Sequence, residues 1–369
     1  MPNTVLNQKN FFADRSQDGQ LPSRQEGRSR RVMYLLSHYP QMSETYMDTE
    51  IAALRSDYDI RILSRNSTTK NQTAPANHFP FSVIRRGTDV ARAIIEFKPD
   101  VIHTHWLFQC RQILDIARYC NVPFTIRAHS FDTIPSPDPR RSVQQWFANA
   151  KPILTEVSRD ELCLGIIAFP FSRPFLLDAG VPDDKIHDCY PLVNYDRFYD
   201  RSDNGPDIMN TGACIQKKKM EDFLELARQV REKQFRLYPV SYNVDAIRAA
   251  NERMGGFVEI MHPVEPEDMP AAYKRHQWMV YTACPRLRNV GWPLAVAEAQ
   301  ASGVGVVLAN IRPDMRQYIG DAGFLYDDLA QARRIISEPV PDEIRELGFE
   351  RAKLCDIINH KSILTDLWG

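Results

Sequence analysis

The sequence predicts an α/β protein built as two parallel-sheet domains that face each other across a cleft. Three observations carry this. Short apolar strands alternate with helices of roughly ten to fifteen residues, the pattern of sheets covered on both faces. The alternation runs twice, with a pause between about Asp183 and Pro206 where apolar residues thin out. At 369 residues the chain is also too long for one ordinary core.

In chain order, Arg31–Ser37 reads as a strand. Ser43 can then cap a helix whose face shows Met47, Ile51 and Leu54. Tyr58–Ser64 alternates like a strand, Val90–Phe97 is a helix, Asp100–Trp106 a strand, Gln109–Tyr119 a helix and Pro123–Ala128 a strand. Pro152–Ser158 is expected as one more strand, followed by a helix. The second series expects strands at Asp207–Cys214, Gln234–Val240, Phe257–Met261, Trp278–Ala283 and Val304–Leu308. Helices are expected between them at Met220–Lys233, Val244–Arg253, Glu267–His276 and Leu294–Ser302. Residues 1–30 lack periodicity and are expected as a flexible tail, 31–190 as the first domain, 191–206 as a linker and 207–369 as the second. The last stretch, Pro341–Leu367, is helical in character and can cross back to the first domain.

Composition narrows the function. A net charge of −1 gives no bulk attraction for nucleic acid. The longest apolar run, Leu164–Phe171, is broken by Gly165 and Pro170 and falls far short of the ~20 residues of a membrane span. The N-terminus carries no apolar signal-peptide core. Seven scattered cysteines without a Cys-x-x-Cys pair favour reduced thiols and a cytoplasmic setting. The tail, more basic than acidic, admits contact with a membrane surface or an acidic partner, and a solvated tail is its plain alternative.

Parallel sheets bind ligands at the carboxyl ends of their strands, so the chemistry is sought in the loops that follow them. Asn289-Val-Gly-Trp-Pro-Leu-Ala-Val-Ala-Glu298 is the clearest of these loops. Gly291 lets backbone approach a ligand closely, Pro293 suits the first helical position, and the helix N-terminus offers N–H groups to a diphosphate. Glu298, one and a half turns in, can accept from ribose hydroxyls; a surface glutamate is the alternative. His103 and His105 share one strand face, but a metal site would need a third ligand that spacing does not name, so no metal is expected.

The segment Gly291, Pro293, Glu298-Ala299 and Gly303 resembles the donor-nucleotide signature of retaining GT-B glycosyltransferases of the family 4 type. Ser37-His-Tyr-Pro-Gln-Met-Ser-Glu-Thr-Tyr46 is similar to the first-strand loop of exopolysaccharide glycosyltransferases. Asp100–His105, Thr125–Asp132, Gly180–Ile186, Val193–Phe198 and Gly212–Ala227 resemble further family segments in the same order, over roughly residues 31–367.

The resemblance implies a GT-B fold of two Rossmann-like domains and transfer of a sugar from a nucleoside diphosphate sugar to a hydroxyl acceptor. The acceptor would be a saccharide, a lipid-linked glycan or a small molecule, the stereochemistry retained, and no cofactor required. It places His129 beside the donor sugar and Lys218 on the diphosphate, with Trp292 in the signature loop and Glu298 on the ribose. Ser43 and Glu44 would lie over the cleft from the first domain. For His129, Lys218 and Ser43 the plain alternatives are a strand-end cap, a solvated Lys217-Lys218-Lys219 run and a helix cap. Three positions depart from the pattern. Val290 stands for a glutamate, Ala213 for an arginine, and Val240-Ser-Tyr-Asn243 for a glycine-rich turn. Arg286 or Arg288 can supply the missing guanidinium. These departures leave a catalytically degenerate binding homologue as one alternative, and a sugar-nucleotide epimerase is another.

Overall fold

A computed structural model describes residues 28–67, 74–134 and 142–369, the stretch 142–150 as backbone only. The expected tail lies outside the described residues except for 28–30, and Arg30 already opens the first strand.

The first sheet contains β1 (Arg30–His38), β2 (Tyr58–Asn66), β3 (Phe81–Val83), β4 (Val101–His105), β5 (Phe124–Arg127), β6 (Cys163–Ala168) and β7 (Ile186–Asp188). Its spatial order is β3-β2-β1-β4-β5-β6-β7, with the described pairings parallel. Tyr34 of β1 stands between Ile62 of β2 and His103 of β4, so the strand order reverses at the β1/β4 boundary. Such a reversal opens a crevice at the carboxyl ends. β1 shows why the sheet is central: Val32 to Leu36 are all at most 1% exposed. Met33 and Leu35 join one core, whereas Val32, Tyr34 and Leu36 join the core on the other face.

The second sheet contains β8 (Asp207–Gly212), β9 (Phe235–Pro239), β10 (Val258–Ile260), β11 (His276–Tyr281), β12 (Gly305–Ala309) and β13 (Phe324–Tyr326), in the order β10-β9-β8-β11-β12-β13. Its parallel strands surround a separate core that includes Trp278, Val306 and Val307.

The chain passes between the domains twice, and the two passages pair. Val193 forms a parallel bridge with Asp356; its N–H donates to the Cys355 carbonyl, and the Ile357 N–H donates back to its own. The helix Ile357–Trp368 then packs on the first domain. Trp368 is 1% exposed, lies edge-on to Tyr34, Tyr58 and His103, and donates from Nε1 to Thr125 Oγ1 at 3.0 Å.

Several expectations need correction. Pro152–Ser158 is not a strand but the last part of the helix Ser142–Arg159. Leu154 and Val157, three residues apart, are both fully buried on one helix face, and the strand comes later, at β6. A short apolar run fits either period. Stretch 191–206 is not a bare linker: Asn194 caps the helix Tyr195–Phe198, and Val193, Tyr195 and Phe198 are buried. The strands β3, β7 and β13, each three residues long, are too short to show alternation. Among the described residues no helix is long and apolar enough to cross a membrane.

Trp368→Ala removes the ring that joins the crossing helix to β1, β4 and β5. By analogy with other buried aromatic truncations it is expected to cost about 3–5 kcal/mol. Thermal unfolding of the first domain is the check; Trp368→Phe, which loses mainly the indole bond, should cost less.

Candidate functional site

Both sets of strand carboxyl ends open onto one cavity of about 740 Å³, within the range of about 300–1,000 Å³ usual for small-molecule sites. The first domain contributes Ser43 and Glu44 after β1, Trp106 after β4, His129 after β5 and Cys189 after β7. The second contributes Ala213 and Lys218 after β8, Tyr242 and Asn243 after β9, and Val290–Leu294 at the start of the helix Leu294–Ala301.

Lys218 faces this cavity because of its neighbour Gly212. Gly212 has φ +131°, and a Cβ there would collide with Lys218 Nζ. The ammonium stands over the Tyr281 ring at 5.3 Å, and burial lowers its pKa to about 8. Lys217 lines the same cavity. Its ammonium lies 5.3 Å from the Phe131 ring of the first domain, and its charge acts on Glu44 and Asp132. Burial pushes the Glu44 carboxyl up to about 7, against a bond from Tyr46 and the Lys217 charge.

The signature loop is used differently from its sequence reading. Pro293 is the N-cap of the helix Leu294–Ala301, not its first residue, and no side chain caps the helix. Pro293 and Leu294, at that end, line the cavity, and a helix N-terminus without a side-chain cap has N–H groups to offer. Gly291 serves an approach between domains: a Cβ would lie 2.9 Å from Ser130 Cβ and Oγ. Ser130 Oγ also donates to the Asn289 carbonyl at 3.4 Å. Trp292 is 2% exposed, stacks on Tyr318, and meets Phe169, Phe171 and Tyr190 at the joint between the domains.

Arg286 and Arg288 are exposed and do not line the cavity. Arg288 is turned away by a left-handed backbone, φ 51°, and donates to the Pro285 carbonyl. The arginine that touches this loop is Arg312, which sequence reading missed. It donates to the Val290 carbonyl at 2.6 Å and chelates Asp314, whose Oδ2 also accepts from Trp292 Nε1 at 2.9 Å. Its charge is therefore committed to holding the loop. Glu298 does not reach the cavity wall either: it accepts from Tyr273 Oη at 2.7 Å, and burial raises its carboxyl pKa. It remains close enough to Lys218 for each charge to act on the other. Ser43 is exposed at the cavity, and the N-cap of its helix is Glu44 instead. The expected glycine-rich turn is made without glycine, Tyr242 taking φ 61°.

On the first-domain side His129 is 8% exposed and sits on a buried polar network. Its Nε2 lies 3.2 Å from His105 Nδ1; His105 Nε2 and His103 Nε2 each lie 3.3 Å from Glu50 Oε1. Glu50 is the third ligand-type group beside the two histidines that spacing could not name. The signal was available: Glu50 shares the helical spacing of Met47, Ile51 and Leu54, and a charge on an apolar face requires a partner. That partner is Arg127, ion-paired to Glu50 Oε2 and donating to Cys189 Sγ at 3.2 Å. Burial alone would raise the Glu50 carboxyl, but the Arg127 charge and the histidine contacts outweigh it and hold the group well below the usual range. Burial drives His105 down to about 4, and it holds His129 well below the usual imidazole range, with the neighbouring His105 and Arg127 adding to it. Asp132 fixes the His129 turn by accepting from the backbone N–H groups of His129 and Leu107, each at 2.7 Å.

Gly291→Ala tests the joint. The added methyl must push Ser130 away, at a cost of about 1–3 kcal/mol for overpacking. Small-angle scattering of the variant is expected to show a larger radius of gyration than the wild type, with both domains still folded.

Residues 205–337 match the family model described as glycosyl transferases group 1. No curated protein sequence matches the chain. Among solved structures, sucrose-phosphate synthase from Thermosynechococcus elongatus is similar at 15% identity over 92% of this chain and 98% of that one, with a TM-score of 0.71. HepE from Anabaena, solved with UDP and glucose, is similar at 14% identity over 91% and 98%, with a TM-score of 0.71; another of its structures holds UDP-glucose. A glycosyltransferase from Rickettsia africae ESF-5 shares 12% identity over 92% and 98%, with a TM-score of 0.64. At these identities the likeness is one of fold. The chain has the GT-B fold, and its second domain carries a glycosyl transferases group 1 domain.

Proposed function

We propose that the protein transfers a sugar from a nucleoside diphosphate sugar to a hydroxyl acceptor, with the donor seated in the cavity between the domains. One observation carries this reading. A half-buried lysine, Lys218, and the uncapped N-terminus of the helix Leu294–Ala301 line the same cavity. Together they form a site for a diphosphate, whose negative charge grows as the sugar leaves. The uracil nucleotides bound by HepE favour UDP as the first base to test.

The remaining roles are those the family resemblance suggests. Lys218 takes the diphosphate charge, an electrostatic role that requires no metal. His129 forms the wall beside the transferred sugar, while Ser43 and Glu44 lie on the acceptor side. Glu298 acts on the ribose end by way of its neighbours Lys218 and Tyr273. Contact between the domains at Ser130 and Gly291 excludes water from the donor. Retention at the anomeric carbon, a place in glycan assembly and a cytoplasmic setting at a membrane face belong to the same proposal and rest on the family resemblance. Val290 and Ala213, both on the cavity wall, favour a second reading in which the nucleotide is bound and no sugar is transferred.

Thermal shift with UDP, GDP, dTDP and ADP tests the proposal. One nucleotide at 100 times its Kd should add about 2.7 kcal/mol of stability, and Lys218→Met should lose most of it. Because free Lys218 gives up its proton near pH 8, binding above that pH must take a proton up. The Kd is expected to rise about fivefold between pH 8 and 9, and Lys218→Met should flatten that rise. No stabilisation by any of the four would remove the proposal. Binding without release of nucleoside diphosphate from the matching sugar donors would favour the second reading.

A further inference from the structure

The polar network beneath His129 has a direction, which can be read from its two ends. Trp368 Nε1 can only donate, and it donates to Thr125 Oγ1. The ionised Glu50 carboxylate can only accept, and its Oε1 takes the Tyr34 hydroxyl at 3.0 Å while facing both His103 Nε2 and His105 Nε2 at 3.3 Å. His105, hydrogen-bonded to that oxygen, therefore carries its proton at Nε2. His103 Nε2 is as near but makes no hydrogen bond, and its Nδ1 lies 2.7 Å from Thr125 Oγ1. A neutral His105 has a bare Nδ1, and the atom opposite it, His129 Nε2 at 3.2 Å, must be the donor.

The turn that carries His129 is fixed separately from its ring, by Asp132 accepting from the His129 backbone N–H at 2.7 Å. A neutral ring that donates from Nε2 is bare at Nδ1.

We propose that Glu50 is a positioning residue that, through His105, holds His129 in the neutral tautomer protonated at Nε2 and bare at Nδ1. The imidazole at the cavity wall is then tied to His105 through Nε2 and presents an uncharged face to whatever lies against it. Arg127 keeps Glu50 an acceptor, because the pair neutralises a carboxylate that burial alone would protonate. Only the phrase "beside the sugar" rests on the reading of the cavity as a donor site, since the tautomer is a property of the free protein.

The test is 15N NMR of the full chain labelled at histidine, without nucleotide, with the His105 and His129 signals assigned by His105→Gln and His129→Gln. Both rings should be neutral and protonated at Nε2. In Glu50→Gln, Arg127 claims the amide oxygen and turns the NH₂ group toward the imidazoles. His105 should then shift to the Nδ1-protonated form, and His129 should lose its single tautomer. Glu50→Asp should keep the wild-type pattern, and Thr125→Val, which cuts only the His103 branch, should leave His129 unchanged. If Glu50→Gln does not fold, Glu50→Gln with Arg127→Met removes the buried charges together and should still scramble both tautomers. Three results would overturn the proposal: His129 protonated at Nδ1 in the wild type, tautomers unchanged in a folded Glu50 variant, or a stoichiometric divalent ion whose removal by chelator shifts both rings. UDP calorimetry on the wild type separates the two ideas. Wild-type protein that fails to bind UDP counts against the donor site alone and leaves the tautomer assignment, a property of the free protein, standing.

Discussion

The buried ion pair between Glu50 and Arg127 is the constraint on which the first domain's half of the cleft depends. Both side chains lie among β1, β4, β5 and the helix Thr45–Leu54, Glu50 with no exposure at all. Neither charge can be removed alone without leaving the other stranded in a low-dielectric interior, a loss that commonly reaches about 3–5 kcal/mol. The pair also organises its surroundings. Glu50 gathers Tyr34, His103 and His105, and Arg127 reaches on to Cys189, which lines the cavity. Burial would raise the Cys189 thiol, but Arg127 and His360 lower it on balance. His360 belongs to the same crossing helix as Trp368. The last helix of the chain therefore meets this network at two points, by way of Thr125 and by way of Cys189.

The second domain reaches the cavity by different means, through backbone rather than buried charge. Gly212 makes room for Lys218, the uncapped helix after Pro293 presents N–H groups, and Arg312 with Asp314 fixes the loop between them. Trp292 and Gly291 join the domains from that side: one fills the joint with an indole, and the other lets Ser130 come close. Cleft geometry and domain packing are thus set by the same few residues, which is why a change at position 291 should be felt in shape as well as in binding.

Much of this was legible in the chain. The two runs of strand and helix and the loop before the Ala-rich helix follow from period and spacing, whereas Lys218 was marked only by the family resemblance. What could not be read was direction in space. Glu298 and Arg288 have the right neighbours in sequence, yet Tyr273 takes the first and a left-handed backbone turns the second outward. Gly291 was marked as a point where backbone approaches a ligand; in the structure it is Ser130 of the other domain that comes close. Pro152–Ser158 failed for a simpler reason, because seven residues hold too few apolar positions to separate a period of two from one of 3.6. Glu50 went unread although its place on an apolar helix face was visible.

The central claim is that one cavity, between the two sets of strand ends, takes a nucleoside diphosphate through Lys218 and the helix Leu294–Ala301. A crystal structure of the full chain grown with UDP tests it most directly. The account predicts phosphate oxygens within hydrogen-bond distance of Lys218 Nζ and of the N–H groups of Leu294 and Ala295. UDP ordered elsewhere, or a cavity left empty at saturating UDP, would contradict it.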